Sequence, residues 1–165
     1  MSPRPFVPWP DARLRTSAAP VGAITDEVRG IWRDMIDTME AMPGLGLAAP
    51  QIGIMLRLAV VDCSTERGKA VRLADPEVIS RSPRLRAHEE ASPNLPGLSA
   101  VLKRPAEVIV AFTDAHGMRV RQTFEGVWAT SVQHQIDHLD GKIYLDRLSR
   151  VKRDMLLKKW RKAHG

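Results

Sequence analysis

The stretch Gln133–His138, with the sequence QHQIDH, decides the fold, because it places two imidazoles four residues apart in an apolar pattern typical of a helix. Residues at positions i and i+4 share one face of a helix, so His134 and His138 can approach the same point. That geometry is the first requirement for a shared metal ion. Between the two histidines, where the H-E-x-x-H motif has a glutamate, this chain has Gln135, and an amide cannot accept a proton from metal-bound water.

Length and composition predict one folded domain over residues 1–165. The chain is 44% hydrophobic and 27% charged, which is ordinary for a globular protein of 165 residues. The only cysteine, Cys63, excludes an internal disulfide and is expected to be an inert thiol. The sequence has no signal-like start and no apolar run of membrane-spanning length. We therefore expect a cytoplasmic protein without a membrane or DNA partner.

Local patterns divide the chain into an arm, helices and strands. Residues 1–20 are rich in proline and arginine and predict an extended N-terminal arm. An amphipathic helix is predicted from Thr25, as its N-cap, to a stop at Met42-Pro43, and a second helix over residues 127–139 with Gly141 after its end. Runs typical of strands lie between the helices, at residues 56–61, 70–74, 84–88, 108–112 and 119–124.

Residues 147–163 predict a basic C-terminal helix. Its cationic side chains face a single acid, Asp154, and an apolar stripe is available for packing. Two interpretations stay open at this point: a solvated face on a packed helix, or a surface for RNA or the ribosome.

A run of small residues, Gly44–Gly53 with the sequence GLGLAAPQIG, follows the first helix. Glycine there lets the backbone approach a ligand closely, although a tight connection between a helix and a strand fits the run equally well. Gln51 is the residue in this run that can direct a polar group at a ligand.

Three segments together resemble the peptide deformylase family. Residues 10–15, PDARLR, are similar to the N-terminal arm of that family, Gly44–Gly53 matches its glycine-rich first motif, and Gln133–Gly141 resembles its third motif, QHExDHLxG, with one change. The resemblance covers nearly the whole chain. It implies an α+β fold in which antiparallel sheets surround a central helix that carries both histidines, with a further helix at the C-terminus.

The second motif of the family, EGCLS, resembles residues 90–94, EASPN. The residues that follow, 95–97 and 104–105, then match the later V-P-G and R-P of the family without a gap. An alignment on Leu98-Ser99 breaks that match, and we reject it. Ser92 therefore stands where the family has its metal-binding cysteine.

The resemblance implies a metal-dependent hydrolase of translation, which removes the formyl group from N-terminal formylmethionine. His134 and His138 match the metal-binding imidazoles, and Gln51 matches the glutamine that donates to the developing oxyanion. Thr130 and Ser131 would make the methionine pocket more polar than is usual in the family. The predicted pocket residues are Gly44, Leu45, Gly46, Glu90, Arg104, Val127, Thr130 and Ser131.

Three departures from the family pattern weaken that chemistry. Ser92 replaces a soft anionic thiolate by a hydroxyl whose proton is hard to remove. Gln135 takes the place of the general base, a role worth about 10²–10⁴-fold in rate. Pro93 has no N–H where the family uses a backbone donor to the oxyanion, a loss of about 3–4 kcal/mol.

We therefore expect a deformylase-like protein that is inactive or strongly impaired and that binds a peptide N-terminus or a related ligand. No metal, or only a weakly bound Fe²⁺, Ni²⁺ or Zn²⁺ ion, is expected. One alternative is a hydrolase of reduced or altered activity, in which His134, His138 and a side chain near residues 88–90 hold the ion. The other is a ribosome- or RNA-associated accessory protein that acts through its basic C-terminal helix.

Overall fold

Antiparallel strands and three helices make up the computed structural model, which describes residues 3–164. The helices are α1 (Asp26–Ala41), α2 (Gly126–Leu139) and α3 (Arg150–His164). The strands are β1 (Gly46–Ala48), β2 (Leu58–Val61), β3 (Val71–Arg81), β4 (Leu85–Ala91), β5 (Ser99–Pro105), β6 (Glu107–Thr113) and β7 (Arg119–Glu125).

The strands form two separate sheets, with α2 between them. The larger sheet has the order β1-β2-β3-β6-β7, and the smaller one pairs β4 with β5. Helix α2 contacts strands of both sheets, so it is the central helix that the resemblance implied. This arrangement confirms the predicted α+β fold. None of the helices within the described residues is long and apolar enough to span a bilayer.

Helix α1 begins and ends where the sequence predicts. The hydroxyl of Thr25 accepts a hydrogen bond from the backbone N–H of Val28, and Asp26 and Glu27 lie in the first turn, where the helix dipole favours acids. Trp32 and Met35 are fully buried against the larger sheet. These side chains are therefore core residues that hold α1 against β1 and β2.

Helix α2 is buried along most of its length, from Ala129 to Leu139. It ends before Gly141, whose φ of 76° is a conformation that favours glycine. A Cβ on Gly141 would also lie 2.9 Å from the backbone carbonyl of Arg15. Glycine is thus required here twice, because the N-terminal arm passes directly over the end of the histidine helix.

The N-terminal arm is bonded to the segments that follow β1 and β4. The N–H of Val7 donates to the carbonyl of Gln51 at 2.9 Å, and the N–H of Trp9 donates to the carbonyl of Asn94 at 3.1 Å. A short turn at Ala12–Arg15 interrupts the extended path that was predicted for residues 1–20, of which the first two lie outside the described residues. The arm is therefore part of the packed structure beside Gln51.

The C-terminal helix begins at Arg150, and the predicted start at residue 147 is wrong. Residues Tyr144–Arg147 form a separate turn, closed by a hydrogen bond of 2.8 Å from the N–H of Ile143 to the Asp146 carboxylate. Leu148 is extended, with ψ at 167°, which ends that turn. Ser149 then accepts from the N–H of Lys152 and starts α3 as an N-cap.

Strands β1 and β5 were not predicted, and β3 and β4 extend beyond their predicted ends. Strand β3 runs to Arg81 because β6 pairs with it along a register that includes two irregularities. Strand β5 pairs with all of β4, from Ser99 opposite Ala91 to Pro105 opposite Leu85. The pairing partner, rather than the local pattern, sets the length of these strands.

Candidate active site

A cavity of about 420 Å³ lies between the first turns of α2, the loop that leads into β1 and the end of β4. It brings together Gln51, Ser92, His134 and Gln135 with most of the predicted pocket residues. Two predicted residues, His138 and Arg104, do not line the cavity. The pocket residues on its wall are Gly44, Leu45, Gly46, Glu90, Val127, Thr130 and Ser131.

His134 is held in place by a carboxylate and an aromatic ring. Its Nδ1 lies 2.8 Å from Oε1 of Glu90, and its ring stacks on that of Tyr144 with the ring centres 5.8 Å apart. Burial alone would raise the pKa of Glu90, but hydrogen bonds from His134 and Arg104 outweigh it and lower that pKa. Glu90 is therefore ionised and accepts a hydrogen bond from Nδ1 of His134, which fixes the orientation of the imidazole ring.

Arg104 links Glu90 to the far side of α2. Its guanidinium donates to Glu90 at 2.6 and 2.9 Å and to Oδ2 of Asp137 at 2.9 Å, and all three side chains are buried. Asp137 also accepts from Nε of Arg147 at 3.0 Å. Burial acts to raise the pKa of Asp137, but Arg147 and Arg104 together lower it. The network is fully paired, as buried charges require.

His138 is buried and forms no ion pair within residues 3–164. Its ring centre is 5.0 Å from that of His134, and its Nε2 is 3.4 Å from Oγ of Ser92. Its Nδ1 is buried and has no hydrogen-bond partner among residues 3–164. Burial lowers the pKa of His138 well below its usual value, so this imidazole is uncharged at neutral pH.

Ser92 is already engaged in hydrogen bonds within the protein. Its hydroxyl accepts from Nε2 of Gln51 at 3.1 Å and lies 3.0 Å from Oδ1 of Asn94. The single hydroxyl proton can go to Asn94 or to His138, but not to both. Gln51 also donates to Oδ1 of Asn94 at 2.9 Å, so both of its amide hydrogens point at protein acceptors. The predicted donation from Gln51 to a ligand oxyanion would require one of these bonds to break.

Gln135 and Pro93 border the cavity without supplying the groups that the family has there. Oε1 of Gln135 is buried and lacks a partner in the described part of the chain. A Cβ on Gly46 would come within 2.6 Å of Nε2 of Gln135 and 2.5 Å of Oγ of Ser131, so glycine is needed at that point of β1. Pro93 has no N–H to donate.

The residues present do not fit a three-ligand metal centre. Two imidazoles are close enough to share an ion, but the third position is the neutral, hydrogen-bonded hydroxyl of Ser92. Metal-binding histidines usually donate their second ring N–H to a partner, which His138 lacks. Within residues 3–164 no group of three His, Cys, Asp or Glu side chains is arranged to hold an ion. The side chains of residues 88–90 therefore do not complete the set.

Sequence reasoning missed the role of Asn94. Its Nδ2 donates to the carbonyl of Val7 at 2.6 Å and to that of Gln51 at 3.0 Å, so it joins the arm, the glycine-rich segment and the end of β4. An asparagine next to prolines is typical of a turn, and the sequence carries no stronger signal than that. Cys63 agrees with the expectation of an inert thiol, because burial raises its pKa to about 11.

Comparisons with known proteins agree with this fold. The family model described as Polypeptide deformylase matches residues 3–154. A protein of Agrobacterium fabrum named "Peptide deformylase-like" is 42% identical over 100% of this chain and 99% of its own length. A protein of Afipia carboxidovorans named "Peptide deformylase" is 40% identical over 99% and 96%, respectively.

Among solved structures, the peptide deformylase of Ehrlichia chaffeensis in complex with actinonin is similar to this chain with a TM-score of 0.91. The two share 31% identity over 99% of this chain and 98% of that one. A family model thus matches most of the sequence, relatives match it over their full length, and a solved structure shares its fold. The chain belongs to the polypeptide deformylase family.

Proposed function

We propose that this protein binds a peptide N-terminus in the cavity beside His134 and does not hydrolyse it at an appreciable rate. The observation that carries the proposal is the state of Ser92, a buried neutral hydroxyl bonded to Gln51 and Asn94 where the family resemblance implies a metal-binding thiolate. The proposed setting is the cytoplasm, where nascent chains present such N-termini.

Peptide binding is supported by two free strand edges on the cavity. Strand β1 is at the edge of the larger sheet, and β4 has a partner on one side only. Residues of both strands line the cavity, Gly46 of β1 and residues 88–91 of β4. An extended peptide can form main-chain hydrogen bonds with such edges, as in other cases of strand addition. The N-terminal residue of that peptide would then lie beside His134.

Loss of hydrolysis is supported by the state of the polar groups at the reacting end of the cavity. Gln135 cannot accept a proton as a glutamate would, and the amide of Gln51 already donates to Ser92 and Asn94. Glu90 is ionised, but it accepts from Arg104 and His134 and is not available as a base. These groups are therefore not available to drive the transfer of a formyl group to water.

An activity assay on a formyl-Met peptide, with Fe²⁺, Ni²⁺ or Zn²⁺ supplied, tests this part of the proposal. The parent and the single variants Ser92→Cys, Pro93→Leu and Gln135→Glu should show no appreciable turnover. Each single variant restores one support of a reaction whose parts act as a unit and are strongly non-additive. Measurable hydrolysis is expected only in the triple variant.

A matched control places the new thiol outside the cavity, in the variant Ser99→Cys, Pro93→Leu, Gln135→Glu. Ser99 is exposed at the start of β5 and does not line the cavity. This control should remain inactive. Parent turnover comparable to that of an intact deformylase would refute the proposal, as would full activity from one single substitution.

Binding is tested by titration of the parent with the peptide Met-Ala-Ser, free and formylated, while amide and imidazole resonances are followed by NMR. Shifts should concentrate on His134, Gln135 and Thr130. The longer peptide Ala-Ala-Met-Ala-Ser is the control, because its methionine is not N-terminal. Equal shifts from both peptides, or none at millimolar concentration, would contradict recognition of an N-terminus.

A second candidate function is a hydrolase of reduced or altered activity with a weakly bound metal ion. The orientation of His134 favours it, since Glu90 holds the ring through Nδ1 and the ring centre of His138 lies 5.0 Å away. Metal analysis of protein purified without chelator decides between the candidates. A stoichiometric Fe²⁺, Ni²⁺ or Zn²⁺ ion together with turnover would favour the hydrolase, and absence of the ion would exclude it.

A third candidate is an RNA- or ribosome-associated protein that acts through α3. Leu157 anchors this helix on the body, and its outer face exposes lysines and two apolar side chains, Val151 and Met155. Reversal of the exposed charges by Lys158→Glu, Lys159→Glu and Lys162→Glu should abolish co-sedimentation with ribosomes at low salt if the face is functional. Three reversals on other surfaces, Arg81→Glu, Arg84→Glu and Arg121→Glu, serve as the control. Unchanged co-sedimentation would leave a packed, solvated helix.

A further inference from the structure

We infer that the cavity selects a first residue whose side chain accepts hydrogen bonds, a carboxamide or a carboxylate, rather than methionine. The residues that determine this specificity are Arg86, His88 and Thr130. The inference rests on the proposed function, because it names the class of peptide N-terminus that the same site binds.

The cavity has a second end, one side-chain length from its reacting end. Glu90, His134 and Ser92 surround the reacting end. Thr130 precedes His134 by one helical turn on the same face of α2, about 6 Å along the axis. His88 precedes Glu90 by two residues on the same face of β4, about 7 Å away. The side chain of a peptide's first residue would therefore extend from His134 toward His88 and Thr130.

This second end carries polar groups whose hydrogen-bonding capacity is only partly used. His88 lines the cavity, and its buried Nδ1 has no partner in the region that the structure describes. Thr130 is only 5% exposed, and its hydroxyl lies 3.5 Å from the carbonyl of Gly126, a long contact. The hydroxyl is thus free to turn toward a ligand.

A cation lies directly behind this wall. The guanidinium of Arg86 is half-buried, and its Nη1 is 3.4 Å from Oγ1 of Thr130. Arg86 forms no ion pair with any residue between 3 and 164. This half-buried guanidinium donates only weakly to one hydroxyl. It should therefore favour a ligand side chain that places an oxygen acceptor nearby.

Hydrogen-bonding capacity, rather than size, distinguishes the side chains that a bound peptide could place at the second end. Glutamine and glutamate have the same chain length as methionine, so all three fit the same space, and Leu45 and Val127 cover their methylene groups equally. A thioether gives the hydroxyl of Thr130 and the imidazole of His88 only a weak acceptor. The side-chain carbonyl of glutamine or glutamate can accept from both. Sites built to hydrogen-bond a ligand discriminate strongly against analogues that lack the polar group.

Calorimetric titration of the full-length protein with three tripeptides tests the inference: formyl-Gln-Ala-Ser, formyl-Glu-Ala-Ser and formyl-Met-Ala-Ser. The formyl group prevents cyclisation of an N-terminal glutamine. We expect the Gln or Glu peptide to bind about tenfold or more tightly than the Met peptide. The ratio between Gln and Glu shows whether an amide or a charge is preferred. Arg86→Met should weaken the Glu peptide more than the Gln peptide.

The double variant Thr130→Val, His88→Leu removes the polar groups and keeps the volume, so it should reverse the preference toward methionine. Thr123→Val on the exposed face of β7 is the matched control and should keep the parent ratio. Arg86→Met provides a second readout should the double variant not fold. Tightest binding of the Met peptide by the parent would overturn this inference and leave the proposed function standing. Failure of all three peptides to bind would overturn the proposed function, and this inference with it.

Discussion

The two histidines of α2 have different partners, although they are one helical turn apart. His134 adjoins a network of ionised and fully paired side chains, Glu90, Arg104 and Asp137. His138 lies beside the hydroxyl of Ser92 without an ion pair, and its Nδ1 has no partner within residues 3–164. The charge network holds the helix between the sheets and reaches the cavity wall at Glu90, whereas Ser92 and Gln135 on the same wall are neutral. The two histidines therefore depend on different partners for their positions.

Arg104→Met should disrupt the charge network of Glu90, Arg104 and Asp137 and have the largest effect on the free energy of unfolding. It leaves the carboxylates of Glu90 and Asp137 buried without their shared cation, which costs about 3–5 kcal/mol. Urea unfolding followed by circular dichroism measures the change in the free energy of unfolding. Lys103→Met on the exposed face of the same strand is the control and should change it by less than about 0.5 kcal/mol. Similar losses in both variants would show that the network does not stabilise α2.

The pH dependence of stability should also come from this charge network. The pKa values of Glu90 and Asp137 are lower in the folded protein than in the unfolded chain, where they are about 4.3 and 3.9. The unfolded chain therefore binds more protons, and the contribution of both groups is complete above pH 5 and is lost as the pH falls through their folded values. Each such group changes the free energy of unfolding by up to about 1.4 kcal/mol per pH unit.

Glu90→Gln should make this acid-side slope shallower, as measured by urea unfolding at several pH values from 6 down to 3. Ser92→Ala removes no carboxyl group and should keep the parent slope. A slope that is the same in Glu90→Gln and the parent would mean that Glu90 is not held in its ionised form by His134 and Arg104.

Near His138, Ser92→Ala should have only a moderate effect on the free energy of unfolding. It removes one acceptor from Gln51, whose amide still donates to Asn94, so a loss of about 1 kcal/mol is expected. Thermal and urea unfolding of the variant give the value. A loss as large as that of Arg104→Met would make Ser92 a structural centre and remove the contrast between the partners of the two histidines.

Gln135→Met should have the smallest effect, a change within about 0.5 kcal/mol, because Gln135 Oε1 has no hydrogen bond to lose. Gln133, two residues earlier, is the matched control. Its Nε2 donates to the carbonyls of Pro105 at 3.0 Å and Ala129 at 2.9 Å, so Gln133→Met should cost about 1–2 kcal/mol. Equal costs at the two positions would show that Gln135 is bonded in solution.

Much of the fold could be predicted because its decisive signals are local. The i, i+4 histidines, the Thr25 cap and the stop at Gly141 depend on neighbours in the sequence, and the structure has each of them. Strand β1 has only three residues and is held by its pairing with β2, so no local pattern announces it. Strand β5 follows a proline-rich turn and exists because β4 lies opposite.

Less of the site could be predicted, because its properties depend on contacts between distant residues. The sequence places Ser92 and Gln51 at family positions, but their mutual hydrogen bond and the position of Asn94 between them follow from tertiary packing. The same holds for Arg86, which sequence alone marks as one more strand arginine. The sequence shows which residue stands at each motif position. It does not show which hydrogen bonds that residue forms.

The hydrogen bonds that join the N-terminal arm to the segments after β1 and β4 have a consequence for the kinetics of folding. The hydrogen bond from Asn94 to the carbonyl of Val7 joins residues 87 positions apart, and contacts of such high sequence separation form slowly. During synthesis, Val7 leaves the ribosome well before its partner exists. We expect pulsed hydrogen exchange to show the amides of Val7 and Trp9 among the last to gain protection on refolding. Residues that are made before Asn94 would thus be among the last to complete the packing behind Gln51.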